Sequence, residues 1–163
     1  AGAEAAAGAA AGAAWRAARG PARYMHVDAA TGATVPDARH VAQPPGTARL
    51  VCVSDTHNLH EAISLPPGDI LLHAGDVLLR DRGVNGPSGG EEGAARLGRF
   101  VEWLAGVGDY RWRVFIGGNH DGLLRDLGAE GVRARLPRGS GVIYLDWDAA
   151  EVELGGGRRN RAV

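Results

Sequence analysis

A chain of 163 residues, 45% hydrophobic and 23% charged, is long enough for one globular domain with a buried core. A formal net charge of −1 argues against a generic binder of nucleic acid or acidic membranes, and no apolar run reaches the length of a membrane-spanning helix. All the basic residues are Arg, which beside the abundant Ala and Gly reads as coding bias rather than as a phosphate-binding signature. The single cysteine, Cys52, excludes an intrachain disulfide framework and fits a reducing, cytoplasmic setting.

Residues 1–20 are an Ala/Gly-rich low-complexity tail; an Arg-bearing organellar transit peptide is the alternative, disfavoured by the absence of Ser. Residues 21–45 form a polar lead-in, in which His26 and His40 lack partners at ligand spacing and read as solvated surface. The domain proper is expected over residues 46–163. It opens with the run Leu50-Val51-Cys52-Val53, whose unbroken apolar character predicts a strand buried on both faces, as in a parallel sheet, with Cys52 as a buried structural residue. Directly after it stand Asp55 and His57. Side chains two apart on extended backbone point the same way, so this carboxylate and imidazole can converge on one divalent cation.

The pattern then recurs. A second predicted strand over residues 69–74 runs into Gly75-Asp76, and a third over residues 112–116 runs into Gly117-Gly118-Asn119-His120-Asp121. In open α/β sheets, sites form beyond the carboxyl ends of the strands, and three such ends carry metal-competent or acid/base groups here. Capping alone would not place three clusters at three strand ends. The loop between the first two strands holds His60, expected to be exposed, and leaves too little chain for a crossover helix. Those strands therefore either pair through an irregular loop or flank a third.

Residues 80–90, rich in Gly, Pro and Ser, read as a loop beside the site. Residues 91–107 are the clearest helix: Ala95, Leu97, Phe100, Val101, Leu104 and Ala105 lie on one stripe, with Glu91 and Glu92 in the first turn. This segment supplies a β-α-β crossover into the third strand. A short helix is predicted over residues 121–127, a hairpin over residues 141–154 with its turn at 146–150, and no pattern beyond 155.

These residue types suit one chemistry. Asp55 and His57 bind a first ion, Asp76 has two oxygens with which to bridge to a second, and Asn119 offers a neutral oxygen to that second ion. Two such cations clamp a phosphate ester and activate a water. His120 is then placed to protonate the leaving alkoxide, and Asp121 to orient His120 and keep it cationic.

The ordered set Asp55-x-His57, Gly75-Asp76 and Gly118-Asn119-His120-Asp121 resembles the first three motifs of the calcineurin-like metallophosphoesterase superfamily. The wording Val51-Cys52-Val53-Ser54-Asp55-Thr56-His57-Asn58 and Gly68-Asp69-Ile70-Leu71-Leu72-His73-Ala74-Gly75-Asp76 is most similar to its branch of metallophosphoesterase domain-containing proteins, over residues 48–156. The resemblance implies an α/β fold, a four-layer α/β/β/α sandwich represented here mainly by its first sheet and flanking helices. It also implies two divalent ions drawn from Mn, Fe and Zn. By the same resemblance Asp55 and His57 serve the first ion, Asp76 bridges, Asn119 serves the second and His120 is the catalytic histidine, while His73 is not a ligand and reads as support or core.

The family's two later histidine motifs have no counterpart after His120, which leaves the second ion only Asp76 and Asn119. That gap, with the missing initial Met, gives the expectation of a fragment comprising the N-terminal portion of a longer protein. It also leaves one sheet face without its cover. Two functions follow: a phosphoesterase acting on a small phosphate-ester substrate, or an incomplete remnant that binds metal weakly or serves as a binding module. Neither metal identity, substrate nor oligomeric state has a signal in the sequence.

Overall fold

The computed structural model describes residues 43–79 and 90–154, and the backbone of Met25–Val27, Thr34–Pro36 and Arg158–Ala162. The tail at 1–20, His40 and the loop at 80–89 lie outside the described residues, as does the side chain of His26. The chain divides into two compact units, one of Ala1–Thr47 with Ala62–Pro66, the other of Ala48–Glu61 with Pro67–Val163. In the first, β1 (Met25–Val27) and β2 (Thr34–Pro36) pair antiparallel, with Met25 opposite Pro36.

The second unit carries β3 (Leu50–Val53), β4 (Ile70–His73), α1 (Gly90–Gly106), β5 (Trp112–Ile116), α2 (Gly122–Arg133), β6 (Val142–Leu145), β7 (Ala150–Leu154) and β8 (Arg158–Ala162). Strands β3, β4, β5 and β6 form one parallel sheet in that order. The register sets Val53 opposite His73 and His73 opposite Phe115, so the carboxyl ends of three strands finish level. Whatever side chains follow those ends must therefore emerge together. This α/β architecture, a parallel sheet with two helices, agrees with a partial metallophosphoesterase sandwich.

The helices cover one face. Leu97, Phe100, Val101 and Leu104 of α1 are buried as the stripe predicts, while Ala95 on the same stripe is exposed. Phe100 meets His73 and Phe115 edge-on, and Phe115 meets Tyr144, so one aromatic line runs from α1 across β4, β5 and β6. Full burial of such a side chain contributes about 1.5–3 kcal/mol. On the opposite face Ile70, Val114 and Val152 form the centre of a cluster completed by Leu72, Trp112, Ile143, Leu145 and Leu154. The Trp112 indole N–H also donates to the Glu153 carbonyl at 2.9 Å, pinning β7 over this face.

Four expectations are corrected. The runs at 141–145 and 150–154 do not form a hairpin. Strand β6 pairs parallel with β5, and β7 pairs antiparallel with β8, within the tail read as patternless. The alternating runs were real, but a short polar turn does not say whether the chain doubles back in one sheet or crosses to its other face. Among the described residues β3 is an edge strand, and it is not buried on both faces: Val51 is buried, whereas Leu50 is 53% exposed and Cys52 is exposed. Finally, His60 is 3% exposed, in a 3₁₀ turn (His60–Ala62) where its ring packs on Phe100 and Trp103. Of the two arrangements open for the first strands, β3 and β4 pair directly, through the loop that contains this turn.

One buried charge was not foreseen. Arg113 on β5 extends under the end of α1 and donates to the carbonyls of Tyr110 at 2.7 Å and Gly108 at 2.8 Å, with longer bonds to Val107 and Ser140. Carbonyls just past a helix end lack intrahelical donors and carry the negative end of the dipole, which a guanidinium satisfies. Burial lowers the pKa of this guanidinium.

Candidate metal centre

Beyond β3 the backbone takes conformations that side chains resist. Asp55, His57 and Asn58 have φ of 56°, 45° and 64°, and Asp76, beyond β4, has φ 54°. Positive φ in non-glycine residues persists only where the surroundings over-determine it. Here two loops grip each other through their backbones. Asp55 N–H donates to Gly75 O at 3.0 Å, His57 N–H to Asp76 O at 3.1 Å and Asn58 N–H to Val77 O at 2.9 Å. Strand pairing is thus continued past the strand ends in twisted form.

His73 supports this junction from below. Its Nδ1 accepts the Gly75 N–H at 3.3 Å, which leaves the proton on Nε2 to donate to Thr56 Oγ1 at 2.9 Å. Thr56, itself buried, stands between Asp55 and His57. Burial holds the His73 pKa down to about 4 against the pull of the Asp55 and Asp76 carboxylates, so the ring works as a neutral strut.

The third tip docks by close backbone contact. A Cβ on Gly75 would lie 2.9 Å from Gly118 Cα, and one on Gly118 only 2.1 Å from Asp76 Oδ1. Both glycines are required for β4 and β5 to end so close together. The same Oδ1 accepts the His120 N–H at 2.9 Å.

Asp55, His57 and Asp76 each offer a ligand atom within 4.8 Å of the other two. The His57 Nδ1–H donates to Leu78 O at 3.0 Å, which fixes the tautomer and leaves Nε2 as the free lone pair, the arrangement found in metal-ligating histidines. Two hard carboxylates and one imidazole form a donor set that fits a divalent cation. The His120 ring sits edge-on to that of His57, centroids 4.9 Å apart, so this side chain also reaches the cluster. Its Nδ1 is buried with no hydrogen-bond partner among the described residues. Asn119 lies in the same loop, between Gly118 and His120, with an exposed side chain.

Asp121 is 2% exposed, and its oxygens are taken by backbone: Oδ1 accepts Leu78 N–H at 2.7 Å, and Oδ2 accepts Gly118 N–H at 2.8 Å and Val77 N–H at 3.1 Å. No bond to the His120 ring accompanies these. Desolvation raises the Asp121 pKa, the three amides oppose the shift, and Asp76 adds to it. The contributions of Thr56 and Arg113 escaped the sequence reading, whereas His73 matches its reading as support or core. For Thr56 the one available signal was its position between two proposed ligands.

The calcineurin-like phosphoesterase family profile matches residues 48–158. The chain is 40% identical over 79 residues to metallophosphoesterase domain-containing protein 1 of Homo sapiens and to that of Mus musculus, a stretch amounting to 48% of this chain and 21% of each relative. It is 35% identical over 113 residues to probable rhamnogalacturonate lyase C of Emericella nidulans, over 68% of this chain and 10% of that protein. The aligned part thus makes up 21% or less of each of these relatives' length. With the profile spanning most of the chain and the three strand-end motifs converging on one cluster, the chain belongs to the calcineurin-like phosphoesterase family.

Proposed function

We propose that this domain hydrolyses a small phosphate ester with the help of divalent metal. The observation that carries the reading is the convergence of Asp55, His57 and Asp76 within 4.8 Å, with the His57 tautomer set for ligation. In this proposal Asp55, His57 and Asp76 hold a first ion, and Asp76 with Asn119 contributes to a second, each drawn from Mn, Fe or Zn. When bound, such ions polarise a phosphoryl oxygen and lower the pKa of a coordinated water toward neutrality.

The protein's own residues supply the remainder. Asp76 keeps its place because the His120 amide and the Gly118 backbone fit against its Oδ1. The His120 imidazole, beside His57, delivers a proton to the leaving oxygen. The name of the fungal relative describes a lyase, but the matched stretch is 10% of that protein.

A second reading has an observation in its favour. Among the described residues, the ligands proposed for a second ion are Asp76 and Asn119, fewer than the first ion has. A domain binding one ion, with weak or no turnover, fits that ligand count. Hydrolysis of p-nitrophenyl phosphate and bis-p-nitrophenyl phosphate in excess Mn²⁺ separates the two. Release of nitrophenol over many turnovers, removed by chelator and by Asp76→Asn, supports the hydrolase, and metal binding without such turnover supports the second reading. Release indifferent to both would refute it.

A further inference from the structure

We infer that Asp121 is the positioning residue of this centre, holding the Val77–Leu78 backbone strip and, through the Leu78 carbonyl, the imidazole of His57. The inference rests on the metal-centre reading above and deepens it. By position Asp121 is the N-cap of α2, where an Asp side chain ordinarily accepts amides of the first helical turn. It makes no capping bond. Its carboxylate turns instead to three amides outside the helix, those of Val77, Leu78 and Gly118. Burying a carboxylate this deeply costs free energy unless its acceptor sites are filled, and here both oxygens are filled by loops that carry the site.

The strip is held from both sides. On one side, the amides of Val77 and Leu78 point to Asp121. On the other, the carbonyls of Asp76, Val77 and Leu78 receive His57 N–H, Asn58 N–H and His57 Nδ1–H at 3.1, 2.9 and 3.0 Å. The peptide joining Val77 to Leu78 accepts from Asn58 and donates to Asp121, so one planar group links the Asp55–Asn58 turn to the head of α2. His57 and Asn58 are the residues with φ of 45° and 64°. A turn in that conformation needs such a support to keep Nε2 aimed with the two carboxylates. Asparagine in place of Asp121 would offer one oxygen and turn an NH₂ toward at least one of the three amide donors, breaking the grip without changing size.

The test is a double-mutant cycle on the full 163-residue chain, read by Co²⁺ titration through visible absorption. Asp121→Asn is expected to weaken Co²⁺ binding about tenfold, as loss of a ligand's support typically does. In a His57→Ala background the same substitution should add no more than about twofold, because the group it positions is gone. A full tenfold loss in both backgrounds would overturn the inference, and so would a lower melting temperature with Co²⁺ affinity intact. If Asp121→Asn does not fold, hydrogen exchange on the unmodified chain decides. Zn²⁺ should slow exchange at the Val77 and Leu78 amides more than at α1 amides, and equal slowing overturns the inference. Failure of the unmodified chain to bind Co²⁺ would overturn the metal-centre reading along with it.

Discussion

Gly75 and Gly118 meet backbone to backbone: a Cβ on the first would stand 2.9 Å from both the Cα and the N of the second. This contact decides how near the ends of β4 and β5 can come, and hence whether Asp76 lies within reach of the His120 amide. Gly118→Ala drives a methyl to within 2.1 Å of Asp76 Oδ1 and 2.4 Å of its amide nitrogen. We expect a loss of about 1–3 kcal/mol in stability, typical of overpacking, together with weakened Co²⁺ binding. Thermal denaturation and titration on the same sample check it. A loss of stability alone, with ligand affinity kept, would separate the contact from the site.

Arg113 gives a prediction about the scaffold alone. Its guanidinium serves several carbonyls past the end of α1 with a fork that an ammonium does not match. Arg113→Ala is expected to cost about 3 kcal/mol or more, since carbonyls and a packed stem are both lost. Arg113→Lys should recover less than half of that in urea denaturation.

Two buried histidines predict how stability depends on pH. Burial lowers His60 and His73 to about 4, from an ordinary 6.5. Between those values the unfolded chain binds protons that the folded chain does not. Stability is therefore fully present above about pH 6.5 and declines as pH falls toward 4. Each group contributes on the order of 3 kcal/mol across the window, and less in combination because the two rings repel when charged. His60→Leu, which keeps an apolar side chain against Phe100 and Trp103, should remove about half of the slope in melts between pH 4.5 and 6.5. An unchanged slope would show that His60 is not neutral in the folded state.

His120 and the metal ligands should separate in their effects. His120→Ala is expected to lower kcat by about 100-fold or more while leaving the bound metal within about twofold of the unmodified level. Elemental analysis beside the phosphatase assay reads both quantities. Equal loss of both would assign His120 to the metal.

Much of the site could be read from the residues because apolar runs ended abruptly in groups that apolar runs do not need. Residues 112–116 were placed as β5 to the residue, and the stripe from Leu97 to Leu104 marked the face of α1 that the sheet buries. What escaped depends on contacts distant in sequence. That Val51-Cys52-Val53 sits at an edge follows from strand order, which an apolar run does not encode. His60 is buried because a 3₁₀ turn aims it at α1, some forty residues on. The carboxylate of Asp121 stands beside a histidine in sequence, yet it bonds amides of Val77 and Leu78 at separations of 44 and 43 residues. Adjacency suggested one partner, and the folding of three loops onto one another supplied others.

Metal stoichiometry reads whether Asp55, His57 and Asp76 together hold a divalent ion. Dialysis of the purified chain against Mn²⁺, followed by elemental analysis, should give at least one equivalent bound. His57→Ala and Asp76→Ala should each lose most of it while the circular dichroism spectrum stays native. Metal content unchanged in both variants would show that these side chains do not hold the ion.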